Sequence, residues 1–161
     1  MKKILILGGS GFIGNSLYRE LYPYFDTYGT YFNEKKFSKN QNFFYYSLQD
    51  DNILPIVKKV KPQLIISCLR GPIIEQLKSH EHIVNYIQNF DCRLMFLSSS
   101  NVFDAFEHYP SYEFDKTLSK SPYGRFKIRI ENSLLKLPPS KYVIARLPMV
   151  FGNNAPRTKE I

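Results

Sequence analysis

Short apolar runs alternate along this chain with longer segments in which apolar residues recur every three or four positions. The short runs suit strands, and the longer segments suit helices with one apolar face. This alternation predicts βαβ units around a parallel sheet. The predicted strands span 3–7, 26–32, 43–47, 63–68, 92–98 and 141–146, and the predicted helices span 12–22, 50–60, 74–89 and 121–136.

Two of the predicted strands are continuously apolar, at residues 64–66 and 94–97, which is typical of strands buried on both faces. We therefore expect an α/β fold, a Rossmann-type doubly wound parallel sheet of about six strands with helices on both faces. Residues 33–42 are polar and basic, and we expect a surface loop there in place of the second crossover helix. The segment 103–120 has no clear period, and long irregular stretches inside compact domains are usually functional.

Composition and charge narrow the class of protein. The chain has 161 residues and a formal net charge of +8, but its lysines and arginines are scattered, so we do not expect it to bind nucleic acid. No apolar run has the length of a membrane span or a signal peptide, so we expect a cytoplasmic protein. Cys68 and Cys92 lack metal-ligand spacing and the histidines do not cluster, so we expect no metal site and no disulfide.

Three glycines, Gly8, Gly11 and Gly14, lie between the first predicted strand and the first predicted helix. In this context the first permits a tight turn, the second lets a pyrophosphate approach the backbone, and the third lets helix pack on strand. The helix start attracts phosphate through its N–H groups and its dipole. We predict a dinucleotide site here, including Phe12 and Ile13, which we expect to pack inward; the alternative is a plain glycine turn.

The second predicted strand runs into Asn33 without the carboxylate that an NAD-selective fold places on the ribose hydroxyls. The first acid is Glu34, and Lys35 and Lys36 follow it. These lysines either meet a 2′-phosphate or belong to a solvated loop. We predict NADP or NAD as cofactor, with a preference for NADP, and include Asn33 and Lys35 among the cofactor-binding residues.

A pair of residues suited to proton transfer lies on the last predicted helix. Ser121 and Pro122 are typical of a helix start, which places Tyr123 and Lys127 at positions i and i+4 on one face. A free tyrosine has a pKa of about 10, and a neighbouring ammonium favours the phenolate. We predict that Tyr123 exchanges a proton and that Lys127 supports it; the alternative is an ordinary half-exposed helix face.

Three consecutive serines, Ser98 to Ser100, end the fifth predicted strand. Open α/β sheets bind their ligands at the carboxyl ends of the strands, so a hydroxyl there can hold a substrate oxygen. The alternative is a serine-rich turn that caps the strand.

Four motifs resemble those of the extended short-chain dehydrogenase/reductase superfamily, and in particular its dTDP-4-dehydrorhamnose reductase-like branch. They are GGSGFIG at 8–14, LSSSNVFD at 97–104, SPYGRFK at 121–127 and ARLPMVFG at 145–152. The resemblance implies that Ser99, Tyr123 and Lys127 are catalytic. It also implies that the stretch 146–151, which includes Pro148, lines the nicotinamide pocket.

The chain departs from this pattern in the loop after strand four, which is usually small and alanine-rich in the superfamily. Here the loop carries Cys68 and Arg70. We count both as cofactor-binding, and Arg70 either reaches the pyrophosphate or faces solvent. A second departure is Ser100, which stands where the reductase branch usually has an aspartate.

The resemblance covers only the cofactor-binding part of the superfamily's chain. We therefore expect residues 1–152 to form an NAD(P)-binding domain and residues 153–161 to begin a substrate-binding region. The expected function is that of a nucleotide-sugar oxidoreductase, with hydride and proton transfer at a sugar carbonyl. The alternatives are an epimerase or dehydratase, or a catalytically incomplete cofactor-sensing or partner-binding subunit, completed as a homo-oligomer or by another chain.

Overall fold

A single parallel sheet of six strands forms the centre of the protein, in the order β3-β2-β1-β4-β5-β6. The computed structural model describes residues 1–152 and Ala155, so the predicted region 153–161 lies outside the described residues except for that alanine. Because the order steps outward from β1 in both directions, the sheet is doubly wound, as predicted. The strands are β1 (Lys3–Leu7), β2 (Asp26–Tyr31), β3 (Phe43–Tyr45), β4 (Leu64–Ser67), β5 (Arg93–Ser99) and β6 (Tyr142–Leu147).

Helices cover both faces of the sheet, but unequally among the described residues. The α-helices are α1 (Phe12–Leu21), α2 (Leu54–Val60), α3 (Ile73–Asn89) and α4 (Pro122–Leu134). Side chains alternate along β1, so Leu5 joins the core beneath α2, α3 and α4, whereas Ile6 joins the core beneath α1. One face therefore carries three helices and the other carries α1.

The second helix begins later than its sequence pattern predicts, at Leu54 rather than near residue 50. The Ser47 amide donates to Asp51 Oδ2 and the Ser47 hydroxyl donates to Asp50 Oδ2, each at 2.7 Å. These local bonds hold residues 47–51 in a turn, because short polar side chains compete with the helix for backbone partners.

The predicted surface loop at 33–42 is wrong in part. Lys35–Lys39 form a short 3₁₀ helix in which Phe37 is buried. The Phe37 ring packs 4.5 Å from the Phe43 ring, centroid to centroid, against the core of the α1 face. One aromatic residue among lysines and asparagines was enough to fold this connection onto the sheet, because burial of a phenyl ring contributes about 2 kcal/mol.

Part of the α1 face is bare within the described part of the chain. Met95 and Leu97 of β5 pair in register with Val143 and Ala145 of β6 and point to the same side of the sheet. None of the four is fully buried, and Val143 is 43% exposed. Among the described residues, the α1 face is therefore closed over β1 and β2 and only partly covered over β5 and β6.

Candidate functional site

The glycine turn after β1 has a conformation that requires its glycines. Gly8 adopts φ +73°, and a Cβ built on it would lie 2.7 Å from the carbonyl oxygen of Cys68. A Cβ on Gly14 would collide with the backbone of Gly8. In contrast, Gly11 is exposed, and the nearest atom to its Cβ position is the Gly8 carbonyl oxygen at 3.3 Å. Gly8 and Gly14 thus close the turn, while Gly11 leaves a gap above the backbone.

A buried threonine on β2 holds this turn, and the sequence analysis missed it. The Gly8 amide donates to Thr30 Oγ1 at 2.8 Å, and the Ser10 amide donates to the Thr30 carbonyl at 3.2 Å. Thr30 is 2% exposed. No local pattern in the sequence distinguished Thr30 from Thr27, the other threonine of β2.

A cleft of about 280 Å³ opens beside the turn, at the carboxyl ends of β1, β2 and β4. Its lining residues include the first turn of the βα connection, the ends of β2 and β3 and the loop after β4. They are Gly8, Ser10, Gly11, Thr30, Tyr31, Phe32, Tyr46, Leu48, Gln49, Cys68, Leu69, Arg70, Gly71 and Pro72. Among these described lining residues, Arg70 alone carries a charge at neutral pH. The cleft is thus apolar with one cation, which suits an aromatic base attached to phosphate.

The start of α1 adds a phosphate-binding element to this cleft. Gly11 is the N-cap of the helix, and the amides of Phe12, Ile13 and Gly14 belong to its first turn, where no carbonyl within the helix faces them. Phe12 and Ile13 are half-buried, so the prediction that they pack inward is met only in part. Open backbone at Gly11 and a helix N-terminus together fit a pyrophosphate.

A series of buried hydrogen bonds between α3 and β4 supports the loop after β4. Gln76 Nε2 donates to the Gly71 carbonyl at 2.6 Å, and His80 Nδ1 donates to the Gln76 carbonyl at 2.6 Å. The Ser67 hydroxyl then donates to His80 Nε2 at 2.8 Å. Burial lowers the pKa of His80 to about 4, so the ring is neutral and has one donor and one acceptor nitrogen. These hydrogen bonds fix the backbone at Gly71, next to Arg70, whose exposed side chain is one of the lining residues of the cleft.

Three other residues predicted to bind cofactor, Asn33, Lys35 and Pro148, are not among the lining residues of the cleft. Asn33 and Lys35 are exposed and do not belong to its lining. Lys36 pairs with Glu34 at 3.5 Å, on the surface. Pro148 is exposed just beyond the end of β6. The structure brings Cys68 and Arg70 to the glycine turn, and it does not bring Asn33 or Lys35 there.

The predicted start of α4 is confirmed. Ser121 is the N-cap, its hydroxyl accepts from the Gly124 amide at 3.0 Å, and Pro122 opens the helix. A Cβ on Gly124 would collide with Ser119. This local geometry places Tyr123 in the first turn of α4, where the residue is 47% exposed.

Lys127 is buried one turn below Tyr123. It is 6% exposed, its Nζ donates to the Leu97 carbonyl at 2.9 Å, and the same atom lies 5.5 Å from the centre of the Tyr123 ring. Burial lowers the pKa of Lys127 to about 8, while Cys68 and Glu131 oppose that change. Burial also raises the pKa of the Cys68 thiol to about 12, and Lys127 opposes it. The ammonium thus lies between β5, the Tyr123 ring and the loop that lines the cleft.

Ser99 ends β5 on the same edge of the sheet. Its hydroxyl donates to Asn101 Oδ1 at 2.8 Å and accepts from the Asn101 amide at 3.2 Å, so it caps the 3₁₀ helix at Ser100–Phe103. Lys127 bonds to the carbonyl of Leu97, two residues earlier. The three predicted catalytic residues therefore share one edge of the sheet, around the end of β5. Their roles stay predictions.

The described residues contain no cluster of histidine, cysteine or carboxylate side chains arranged to hold a metal ion. Within the same part of the chain, no helix is long and apolar enough to cross a membrane. Cys68 and Cys92 are free thiols.

The comparison with protein families identifies the class to which this fold and cleft belong. Residues 4–160 match the model of the NAD dependent epimerase/dehydratase family. The chain belongs to this family. A search of the curated proteins finds no match.

Solved structures with the same fold include several enzymes whose names state a nucleotide-linked sugar as substrate. A hypothetical dTDP-4-dehydrorhamnose reductase from Sulfolobus tokodaii is 25% identical, with a TM-score of 0.75, over 96% of this chain and 58% of that one. The dTDP-glucose 4,6-dehydratase from Bacillus anthracis, in complex with NAD, is 18% identical, with a TM-score of 0.72, over 98% and 58%. This chain thus spans less than two thirds of the length of these proteins.

A third structure is the UDP-N-acetylglucosamine 4-epimerase from Methanobrevibacter ruminantium, in complex with UDP-N-acetylmuramic acid. It is 23% identical, with a TM-score of 0.73, over 96% of this chain and 58% of that one. At identities below 25%, the dehydratase and the epimerase show the fold alone. The comparisons therefore confirm the predicted superfamily and an NAD-dependent class, and they leave the choice of reaction open.

Proposed function

We propose that this chain is the dinucleotide-binding part of a reductase that acts on the carbonyl of a nucleotide-linked sugar. The single observation that carries the proposal is the buried Lys127 ammonium, 5.5 Å from the Tyr123 ring and bonded to β5. Burial of an ammonium costs free energy, and groups whose pKa is strongly shifted by burial cluster at functional sites. The likeness to the 25%-identical dTDP-4-dehydrorhamnose reductase supports this branch of the family.

In this proposal each residue of the set has a distinct role. Tyr123 donates its phenolic proton to the carbonyl oxygen of the sugar, and the Lys127 ammonium stabilises the phenolate that remains. The Ser99 hydroxyl turns from Asn101 to donate to the same oxygen. The dinucleotide, when bound, supplies the hydride. Its pyrophosphate is held by the glycine turn and the start of α1.

NADP is the cofactor that we propose, with NAD as the alternative. The support is electrostatic: the end of β2 presents Tyr31 and Phe32 to the cleft where an NAD-selective fold has a carboxylate, and Arg70 is the charge nearby. A 2′-phosphate therefore meets a cation and no carboxylate among the described lining residues.

A second candidate function is cofactor binding without turnover, in a subunit that another chain completes. The hydrogen bonds between Ser99 and Asn101 favour it, since they occupy the hydroxyl that a substrate needs. A reduced dinucleotide binds in both cases. Only the reductase oxidises it when a nucleotide-linked ketosugar is added.

The test is Tyr123→Phe, which removes the transferable proton and keeps the ring. We expect turnover of NADPH with dTDP-4-dehydrorhamnose to fall by about 10³-fold, with the NADPH dissociation constant within about twofold of the parent's. Stopped-flow absorbance and a fluorescence titration measure the two. Tyr24→Phe, at a tyrosine that is 71% exposed near the opposite edge of the sheet, is the matched control. Full activity of Tyr123→Phe overturns the proposed chemistry, and absence of NADPH binding overturns both candidates.

A further inference from the structure

A buried ion pair lies beside the proposed site without belonging to its chemistry. Glu131, on α4, is 1% exposed and lies one helical turn beyond Lys127. Arg146, on β6, donates from Nε to Glu131 Oε1 at 3.1 Å and from Nη2 to Oε2 at 2.8 Å. The Ser98 hydroxyl donates to the same carboxylate at 2.6 Å. Both carboxylate oxygens are therefore occupied, and α4 is joined to β5 and β6.

The same arginine also reaches the irregular segment 104–120. Its Nη1 donates to the carbonyl of Glu113 at 2.7 Å, and its guanidinium carbon lies 4.9 Å from the centre of the Phe103 ring. One planar group thus makes a forked ion pair, a bond to a loop carbonyl and a stacking contact. This combination of contacts requires the fixed fork of a guanidinium.

The ends of the segment 104–120 are tied to the start of α4. Asp104 Oδ1 accepts from the Lys120 amide and Oδ2 accepts from the Ser121 hydroxyl, both at 2.6 Å. These hydrogen bonds hold the pKa of Asp104 below its ordinary value. The segment therefore leaves the strand that carries Ser99 and returns to the helix that carries Tyr123.

Between those ends, the segment has little apolar burial. Tyr109, Tyr112 and Phe114 are 80%, 68% and 94% exposed. A 17-residue loop without a core of its own opens readily unless something holds its middle. Of the contacts described, the bond from Arg146 to Glu113 is the one that ties the middle of the segment to the sheet.

We propose that Arg146 is a positioning residue that holds the segment 104–120 against β6 and thereby fixes Tyr123 relative to Ser99. This inference rests on the proposed function for its meaning, because the distance between those two residues matters only for proton transfer. The structural part of the inference, that Arg146 holds the segment 104–120 and fixes the position of Tyr123, does not depend on the proposed function. Displacements of about 1 Å around a reacting centre lower the rate on the order of 10²-fold. A contact that prevents such a displacement therefore has a large effect on the reaction.

The test replaces Arg146 by lysine, which keeps a cation opposite Glu131 but loses the fork, the bond to Glu113 and the stacking on Phe103. Two measurements are made on the whole chain without dinucleotide. The first is the rate at which trypsin cuts after Lys116, an exposed lysine within the segment, followed by mass spectrometry. The second is the ¹³Cζ resonance of Tyr123, assigned by its loss in Tyr123→Phe.

We expect Arg146→Lys to raise the rate of cleavage at Lys116 about tenfold and to shift or broaden the Tyr123 signal. Arg129→Lys, at an exposed arginine of α4, is the matched control, and it leaves the number of trypsin sites equal. It should change neither measurement. Parent-like cleavage at Lys116, or an unchanged Tyr123 signal, overturns the proposal.

A second variant covers the case in which Arg146→Lys does not fold. Phe103→Leu removes the ring beside the guanidinium and leaves the ion pair, and we expect changes in the same direction but smaller. No change in that variant likewise overturns the proposal. Both measurements are independent of cofactor, so a parent protein that fails to bind NADPH overturns the proposed function and leaves this test readable.

Discussion

The two halves of the candidate site are held in different ways. Around the glycine turn, steric exclusion sets the geometry, because backbone atoms leave no room for a Cβ at the Gly8 and Gly14 positions. Around Tyr123 and Lys127, side chains that are distant in the sequence set it, as with the bond from Lys127 to the Leu97 carbonyl.

This difference decides how each half tolerates change. A turn enforced by steric exclusion fails when a single methyl group is added, because backbone atoms cannot move aside. A site held by side-chain hydrogen bonds loses stability gradually, because each bond contributes about 1 kcal/mol and the other bonds remain when one is removed. Substitutions in three places, the glycine turn, Lys127 and Arg70, test this difference.

The largest effect is expected at the glycine turn. Gly14→Ala places a methyl group against the Gly8 backbone, so we expect loss of NADPH binding and a decrease of about 3 kcal/mol in the free energy of unfolding. Gly11→Ala meets only one neighbour, at 3.3 Å, and should keep the stability of the parent while it weakens NADPH about tenfold. Urea denaturation and fluorescence titration measure the two quantities. Equal losses of stability in both variants would show that the turn is not held by exclusion.

An intermediate effect is expected at Lys127, and it depends on pH. The folded pKa is about 8 and the unfolded value is 10.5, so the unfolded chain holds more protons between these values. The free energy of unfolding should therefore rise across this interval, by about 3 kcal/mol relative to Lys127→Met. Below pH 8 both states are charged and the difference is constant.

The measurement is urea denaturation of the parent and of Lys127→Met at intervals from pH 7 to pH 10.5. Taking the difference between the two proteins removes the contribution of Cys92, whose pKa is shifted by burial and by groups other than Lys127. Lys58→Met, at an exposed lysine of α2, serves as control and should follow the parent. Parallel curves for the parent and Lys127→Met would contradict burial of the ammonium.

The smallest effect is expected at Arg70, in the cleft beside the glycine turn. Arg70→Gln should weaken NADPH about fivefold and NADH about twofold, because a charged hydrogen bond to a partly exposed phosphate contributes about 1 kcal/mol. Lys35→Gln should leave both affinities unchanged, since Lys35 lies outside the cleft lining. An equal loss for both dinucleotides would place Arg70 at the pyrophosphate that they share.

The sheet, the glycine turn and the four α-helices of the described residues could be predicted, because each depends on residues that are close together in the sequence. Periodicity identified the strands and helices, and the spacing of three glycines between a strand and a helix identified the turn. The contact that excludes a Cβ at Gly8 was not visible, because it comes from the Cys68 carbonyl in the loop after β4. The start of α4 at Ser121 was visible for the same reason.

The contacts that hold the site together were not predictable in this way. Thr30 meets Gly8 across 22 residues, and Arg146 meets Glu113 across 33, so neither spacing carries a signal before the topology is known. The burial of Phe37 was missed because lysines and asparagines surround it in the sequence. Asn33 and Lys35 were chosen for their charge and polarity near the end of β2, and the backbone there turns them to solvent.

The bare part of the α1 face also affects how this chain behaves in the laboratory. Within the described residues, Val143, Ala145, Met95 and Leu97 are partly exposed to water, and β6 is the last strand of the sheet on that side. Two molecules that meet along this edge can shield each other's side chains, at a rate that grows with the square of concentration. Dilution series therefore belong in every binding measurement on this chain, because they separate self-association from binding of the ligand.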